Sequence, residues 1–142
     1  MCGILFSKNS RRVLNSKTFK NALLKQSWRG PDAVGVSQEN FGVHLGHVRL
    51  SILDLSDTCN QPMLSKCGRF KIIFNGEIYN HLDIRRKLNL NCSTDSDTET
   101  VLEAFCEEGT NVFDMLNGMF ALVIYEISSG NWWSARDRHG IK

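Results

Sequence analysis

Apolar and polar residues alternate along the chain with two different periods, which predict short strands and amphipathic helices. Apolar runs typical of strands occupy residues 3–6, 34–36, 43–53, 70–74, 119–127 and 132–135. Apolar residues at helical spacing occupy residues 18–26, 81–90 and 96–108. Because strands and helices follow one another with hairpin turns between the strands, we predict an α+β fold with antiparallel sheets.

The clearest boundaries lie in the second half of the chain. Ser96 and Glu99 have the spacing of a capping box at a helix start. Gly109 is expected to end that helix, since glycine is favoured just past a helix C-terminus. Residues 128–131 predict a hairpin turn before the last strand, whereas residues 54–67 are expected to form a loop.

The composition fits a single globular domain, or a large part of one, over residues 1–142. Hydrophobic residues make up 42% of the chain and charged residues 23%, so an ordinary core is expected. The net charge of +2 is too small to predict a nucleic-acid partner. The sequence has no apolar run long enough for a membrane span and no signal-peptide pattern, so we expect a cytoplasmic protein without a membrane partner.

The cysteines and histidines predict neither a disulfide framework nor a metal site. The number of cysteines is odd, at 5, and no Cys-x-x-Cys pair occurs. The 4 histidines lack ligand spacing with cysteines or acids. We therefore expect free thiols in a reducing compartment, histidines that are structural or exposed, and no bound metal.

Cys2 is the first candidate for chemistry. Its small side chain favours enzymatic removal of Met1, which would leave a thiol and a free α-amine on one residue. The thiol is then a nucleophile, and the amine, with an ordinary pKa of about 7.7–8.0, is a general base. The alternative is that Cys2 simply begins a strand.

Asn75 and Gly76 follow the predicted strand over residues 70–74. A glycine N–H and an asparagine side chain could together stabilise the oxyanion of an acyl-transfer intermediate. The alternative is a sharp Asn-Gly turn, for which this pair is a strong local signal.

Arg49 and Asp97 are the two charged candidates. Arg49 lies inside an otherwise apolar predicted strand, where it could bind a carboxylate with two parallel hydrogen bonds or, alternatively, reach water from an edge strand. Asp97 lies at a predicted helix start, where a carboxylate is also favoured as a cap or dipole partner. A fixed cation and a fixed anion together suit the two charges of a free amino acid.

Eight short segments, in order along the whole chain, resemble the class II glutamine amidotransferase domain of asparagine synthetases. They are Met1-Cys2-Gly3-Ile4, Arg29-Gly30-Pro31-Asp32, residues 47–54 (HVRLSILD), Gln61-Pro62-Met63, residues 75–81 (NGEIYNH), Ser96-Asp97-Thr98-Glu99, Gly118-Met119-Phe120-Ala121 and residues 136–142 (RDRHGIK). The resemblance implies a four-layer αββα sandwich of two antiparallel sheets, as in N-terminal nucleophile hydrolases. It also implies hydrolysis of glutamine to glutamate and ammonia through a cysteine thioester.

Site roles follow from the resemblance position by position. Cys2 would be the nucleophile, and Asn75 with Gly76 would form the oxyanion hole. Arg49 would bind the α-carboxylate of glutamine and Asp97 its α-ammonium. The pocket would be completed by Leu50, Ser51, Ile52, Leu53 and Glu77.

The resemblance also has departures. Trp28 replaces a histidine usual in the family, and we expect this to affect packing alone. The family continues past Lys142 with further strands and a synthetase domain that uses ATP and Mg²⁺, so we expect the chain to be truncated at its C-terminal end. The glutaminase half itself is expected to need no cofactor.

Three functions stay open at this point. The ammonia could serve asparagine synthesis from aspartate in a C-terminal synthetase domain or subunit, with a homodimer possible for the full-length protein. It could instead serve an acceptor other than aspartate. The third possibility is an inactive fragment that acts only as a partner-binding module.

Overall fold

The computed structural model describes residues 2–9, 14–50 and 59–142. The strands within these ranges are β1 (Gly3–Lys8), β2 (Ala33–Glu39), β3 (Val43–Arg49), β4 (Met63–Leu64), β5 (Phe70–Ile78), β6 (Gly118–Glu126) and β7 (Trp132–Arg136). The α-helices are α1 (Ser16–Leu24), α2 (His81–Leu88), α3 (Asp97–Glu108) and α4 (Val112–Met115). Short 3-10 turns cover Ser27–Arg29, Asn40–Gly42 and Gly109–Asn111.

The described strands form two antiparallel sheets. Sheet A has the order β1-β3-β2, and sheet B has the order β4-β5-β6-β7. β3 is therefore the central strand of sheet A, whereas β4 pairs with β5 only at Lys71 and Ile72. The predicted α+β class with antiparallel sheets is confirmed.

Alternation along β3 divides the two faces of sheet A. Val43 and Leu45 face sheet B and pack against apolar residues of β5 and β6. Gly46, on the opposite face, lies under Phe19 and Leu23 of α1, and a Cβ at this position would come within 2.9 Å of both side chains. Glycine at position 46 thus lets α1 approach sheet A closely.

The other face of sheet B is covered by α2, α3 and α4. Its larger core is built from Met63, Phe70, Ile72, Phe74, Ile78, Ile84, Val101, Leu102, Ala104, Phe105, Val112, Leu116, Phe120, Leu122 and Ile124. The layers are therefore α1, sheet A, sheet B and the α2–α4 group. This is the αββα sandwich that the resemblance implies. No described helix is both long enough and apolar enough to cross a membrane.

The predicted sharp turn at Asn75 and Gly76 is wrong. β5 continues through both residues to Ile78, with Asn75 opposite Ala121 and Gly76 opposite Phe120. The local Asn-Gly preference is overridden because β6 provides a partner strand along the whole of β5.

Two other boundaries differ from the predictions. β4 is a short strand inside the region expected to be a loop. The strand predicted over residues 43–53 ends at Arg49, and residues 51–58 lie outside the described part of the chain.

The start of α3 has half of the predicted capping box. The Ser96 hydroxyl accepts a hydrogen bond from the Thr98 N–H at 3.2 Å, as expected of an N-cap. The Glu99 carboxylate accepts from the N–H groups of Ser93 and Thr94, at 2.7 Å each, and so holds the preceding loop. α3 ends before Gly109, as predicted, and the positive φ of 57° at this residue is a backbone conformation that glycine adopts readily.

Candidate active site

A cavity of about 180 Å³ lies where the ends of β3 and β5 meet the start of α3. Sheet A contributes one wall, with Cys2, His47, Arg49 and Leu50; sheet B and α3 contribute the opposite wall. The residues of this second wall are Phe74, Asn75, Gly76, Glu77, Ser96, Asp97, Thr98 and Met119, with Cys59, Gln61 and Lys142 completing the lining.

Cys2 is held against the end of β3. Its Sγ accepts a hydrogen bond from the Leu50 N–H at 3.4 Å and lies 3.7 Å from the Leu50 carbonyl oxygen. The Arg29 Nε donates to the Cys2 carbonyl oxygen at 3.1 Å. The thiol is therefore positioned in the wall of the cavity by backbone contacts, and Cys2 remains partly exposed to solvent.

The Arg29-Gly30-Pro31-Asp32 segment supports this arrangement. The Asp32 N–H donates to the Arg49 carbonyl at 2.9 Å. A Cβ on Gly30 would lie 2.5 Å from the carbonyl group of Val48, so the loop approaches β3 closely because position 30 is glycine.

Trp28 does not have the packing role that the sequence predicted. Its side chain is 77% exposed. The Arg29 guanidinium lies 5.4 Å from the centre of the Trp28 ring, a cation–π contact. Trp28 thus does not pack in the core; it contacts Arg29, the residue that donates a hydrogen bond to Cys2.

Arg49 is the last residue of central strand β3 and is only 7% exposed. The alternative of an edge-strand arginine reaching water is therefore wrong. Since strand residues alternate, Arg49 shares the face of His47, Leu45 and Val43 that is turned toward sheet B. Its Nη1 donates to the Asn60 Oδ1 at 2.7 Å, so the guanidinium is fixed in the cavity wall.

The feature of Gly76 that concerns the cavity is the direction of its backbone N–H. β4 covers β5 only as far as Ile72, so beyond that point the edge of β5 turned away from β6 faces the cavity. The Phe74 N–H on this edge donates to the Gln61 Oε1 at 2.6 Å, and the Ile78 N–H to the Asp97 Oδ2 at 2.9 Å. Backbone N–H groups two residues apart point the same way, so the Gly76 N–H, midway between them, points into the cavity.

The side chain of Asn75 projects from a face of sheet B, whereas the Gly76 N–H lies on the edge of β5. Ile73, two residues earlier, packs in the core between the sheets. Asn75 therefore points toward sheet A, where Cys2 and Arg49 lie. A Cβ on Gly76 would come within 2.2 Å of the Met119 carbonyl oxygen, so glycine permits β5 and β6 to lie close at this point.

Asp97 is the first residue of α3, and the N-cap role belongs to Ser96. The carboxylate is 7% exposed and joins α3 to β5 through the Ile78 N–H. Burial raises the pKa of the Asp97 carboxyl above its ordinary value of 3.8, while the backbone donors of Ile78 and Thr98 act in the opposite direction. A cation bound beside this carboxylate would offset the cost of its burial.

Glu77 and Leu50 also line the cavity, Glu77 as an exposed residue and Leu50 as a half-buried one. The other predicted pocket residues, Ser51, Ile52 and Leu53, lie outside the described part of the chain. Every predicted site residue that the structure describes therefore lines the same cavity.

Gln61 and His47 were not predicted as site residues. The Gln61 amide accepts from Phe74 and donates to the Thr98 Oγ1 at 3.4 Å, so it joins β5 to α3. His47 is 1% exposed, and burial lowers its pKa to about 4, with Arg49 adding a smaller effect in the same direction. The sequence signals for these two residues are weak: Gln61 precedes Pro62, and His47 lies two positions before Arg49. Neither pattern predicts a contact between distant segments of the chain.

Lys142 reaches the cavity because of a turn around Asp137. The Asp137 carboxylate accepts hydrogen bonds from the N–H groups of Ile141, Lys142, Phe120 and His139. These donors, the Ile141 bond first among them, lower the pKa of Asp137 to about 2. The Asp137 carboxylate thus organises the Arg-Asp-Arg-His-Gly-Ile-Lys segment beside β6.

Within the described ranges, no three histidine, cysteine or acidic side chains converge as a metal site would require. The groups that line the cavity include a thiol, a guanidinium, carboxylates, side-chain amides and backbone donors.

Comparison with known proteins identifies the family of the chain. A model of the glutamine amidotransferase domain family matches residues 1–142. A putative glutamine-hydrolysing asparagine synthetase of Methanocaldococcus jannaschii is 36% identical over 161 residues, which cover 100% of this chain and 31% of the relative. A glutamine-hydrolysing asparagine synthetase of Brassica oleracea is 34% identical over 144 residues, or 99% of this chain and 24% of the relative.

A third relative has a different name. It is an amidase of Gibberella zeae, 38% identical over 117 residues, which cover 80% of this chain and 17% of the relative. The chain thus spans between about a sixth and a third of the length of these relatives. The match of the family model over the whole chain, together with relatives above 30% identity, means that the chain belongs to the family of glutamine amidotransferase domains.

Proposed function

We propose that this domain hydrolyses glutamine to glutamate and ammonia, with Cys2 as an N-terminal nucleophile. The observation that carries the proposal is the meeting of Cys2, Arg49, Asn75, Gly76 and Asp97 in one cavity. These residues come from both sheets and from α3, and together they supply a nucleophile, hydrogen-bond donors and two opposite charges.

Substrate binding would use the two charges. Arg49 binds the α-carboxylate of glutamine through parallel hydrogen bonds, and Asp97 binds the α-ammonium. Both side chains are 7% exposed, so these ion pairs form with little competition from water. The side-chain amide of glutamine then extends toward Cys2.

Catalysis would begin once Met1 is removed. The α-amine of Cys2 takes the thiol proton, and the sulfur attacks the amide carbon. The Gly76 N–H and the Asn75 side chain bind the oxyanion, which they can do without reorganisation because β5 already fixes them. Ammonia leaves with the proton, and water then hydrolyses the γ-glutamyl thioester to glutamate.

We further propose that the ammonia serves asparagine synthesis from aspartate in a synthetase domain outside residues 1–142. The support is that two of the relatives are named glutamine-hydrolysing asparagine synthetases and are far longer than this chain. That domain would bind ATP and Mg²⁺, and the glutaminase domain would need neither. The amidase among the relatives is the reason to test acceptors other than aspartate as well.

The experiment combines intact mass with labelling by diazo-oxo-norleucine, a glutamine analogue that alkylates nucleophilic thiols. The proposal expects a protein without Met1 that acquires one adduct on Cys2, releases ammonia from glutamine and loses both properties in Cys2→Ala. A folded protein that lacks Met1 but takes no label would overturn the proposal and leave a partner-binding module. Supplying aspartate, ATP and Mg²⁺ to the full-length protein separately tests the acceptor.

A further inference from the structure

Two cysteines outside the cavity lie side by side. Cys67 is in the turn between β4 and β5, and Cys106 is in α3, 39 positions later in the chain. Their Sγ atoms are 3.7 Å apart. Since a disulfide bond joins sulfur atoms at about 2.05 Å, a movement of less than ~2 Å would bring them to bonding distance.

The contact is maintained by the surrounding structure rather than by the sulfurs alone. Ser65 accepts a hydrogen bond from the Phe70 N–H at 3.0 Å and so closes the turn that carries Cys67. The Lys66 N–H donates to the Glu103 carboxylate of α3 at 2.9 Å. The turn is therefore attached to the helix next to the sulfur pair, which limits the motion that could separate the two sulfurs.

The two thiols differ in accessibility and acidity. Cys67 is exposed, and hydrogen bonds, led by that from the Ser65 hydroxyl, lower the pKa of its thiol. Cys106 is half-buried, and burial raises the pKa of its thiol to about 12. The difference assigns Cys67 as the sulfur that an oxidant meets first, because attack on peroxide requires an accessible thiolate.

We propose that Cys67 and Cys106 form a reversible intramolecular disulfide when the protein meets a peroxide. The Cys67 thiolate attacks one peroxide oxygen, the O–O bond breaks, hydroxide leaves and Cys67 becomes a sulfenic acid. The Cys106 sulfur gives up its proton and attacks the Cys67 sulfur; the S–S bond forms, the S–O bond breaks and hydroxide leaves. In sum, two thiols lose two electrons and two protons, and hydrogen peroxide is reduced to two water molecules.

The other described cysteines are placed differently. Cys59 is buried, and Cys92 has a thiol whose pKa is raised, first by burial. Cys2 lies in the active-site cavity. The disulfide is therefore specific to one pair, and it does not depend on the proposed glutaminase activity.

The consequence would be a covalent link between the β4–β5 turn and α3, the helix whose first turn carries Asp97 and Thr98. Cross-linking segments this far apart in sequence restricts the unfolded chain. The oxidised protein should therefore unfold at a higher temperature than the reduced protein, by several degrees.

The test is to treat the purified protein with hydrogen peroxide, block remaining thiols with an alkylating agent, and map peptides without reduction. We expect one linked peptide pair containing Cys67 and Cys106, with a mass lower by two hydrogens, which disappears after treatment with dithiothreitol. Cys106→Ser should abolish the link and leave Cys67 as a sulfenic acid that reacts with dimedone. Cys92→Ser is the matched control and should form the link as the wild type does.

The proposal is overturned if both thiols are recovered alkylated after peroxide treatment. It is also overturned if Cys67 proceeds to sulfinic acid in the wild type without forming the link, or if Cys67 pairs equally with Cys92. Because the readout is the covalent state of two residues, it is independent of whether glutamine is hydrolysed.

Discussion

The two walls of the cavity are built in different ways. On the sheet A wall, Cys2 and Arg49 lie at strand ends, and each is held by bonds from neighbouring segments, Cys2 by Leu50 and Arg49 by Asn60. On the sheet B wall, Asn75 and Gly76 are part of a continuous strand, β5. The edge of β5 that faces the cavity forms hydrogen bonds with side chains instead of with a further strand.

The difference fits the two chemical tasks proposed for the walls. A nucleophile changes its bonding during a reaction, and a strand end gives it accessible space. An oxyanion hole performs best when its dipoles are already oriented, and the interior of a paired strand provides this rigidity. Gln61 and Asp97 accept hydrogen bonds from the N–H groups of Phe74 and Ile78, which lie on either side of Gly76. The Gly76 N–H between them is directed at the cavity. Substitutions on the two walls should consequently fail in different ways.

The largest effect is expected from Cys2→Ala on the sheet A wall. Removal of the proposed nucleophile should lower kcat for glutamine hydrolysis by at least about 10⁴-fold, because the remaining groups cannot form the thioester. Glutamine binding, measured by calorimetry, should persist, since Arg49 and Asp97 are unchanged. Cys92→Ala, which alters a thiol that does not line the cavity, should keep wild-type activity. Substantial turnover by Cys2→Ala would mean that another group is the nucleophile.

Asp97→Asn on the opposite wall should have the next largest effect. The amide keeps an oxygen to accept from Ile78 but removes the charge that would pair with the α-ammonium. We expect kcat/KM for glutamine to fall by about 10- to 100-fold, the range for a hydrogen bond to a charged group. Asp83→Asn, an exposed residue paired with Arg86, is the control and should change nothing.

The pKa of Asp97 adds a second signature. Because burial raises this pKa above 3.8, the carboxylate needed for binding is lost as the pH falls toward the raised value. The acid limb of the kcat/KM profile should therefore be absent in Asp97→Asn. An acid limb unchanged by the substitution would assign it to a different group.

Stability should move in the opposite direction to activity. A carboxyl whose pKa is higher in the folded than in the unfolded state binds its proton more tightly when folded, so its charge opposes folding at neutral pH. The unfavourable contribution decreases as the pH falls below the raised pKa, and it is gone once the pH is below the ordinary value of 3.8. Asp97→Asn should therefore unfold at the same temperature as the wild type or slightly above it at neutral pH, as thermal denaturation would show.

Arg49→Lys probes the sheet A wall with a smaller change. Lysine keeps the positive charge but lacks the planar pair of donors that suits a carboxylate. We expect KM for glutamine to rise about 10-fold with little change in kcat, the pattern of lost uniform binding. Arg69→Lys, which replaces an exposed arginine paired with Glu126, is the matched control. A fall in kcat at unchanged KM would assign Arg49 to the transition state instead.

The two walls also differ in how far the sequence predicts them. The strand pattern and Arg49 itself identify the sheet A wall, because alternation follows from local periodicity. The central position of β3 depends on pairing with β1 and β2, which local periodicity does not specify. The sheet B wall is predicted less well, because Asn75 and Gly76 carry a strong local turn signal, whereas pairing with β6 keeps them in a strand. Local sequence could not place Gln61, since its two bonds join segments 13 and 37 residues away.

Gln61→Met therefore tests the part of the sheet B wall that sequence alone did not predict. Methionine has similar volume but leaves the Phe74 N–H buried without an acceptor, which should lower the free energy of unfolding by ~1–3 kcal/mol. Because the neighbouring Gly76 N–H would be less well fixed, kcat for glutamine should also fall, by about 3-fold, while KM stays nearly constant. Gln38→Met, on β2 and outside the cavity lining, controls for the loss of an amide. If Gln61→Met raised KM and left kcat unchanged, the row of N–H groups along β5 would belong to substrate binding rather than to the oxyanion hole.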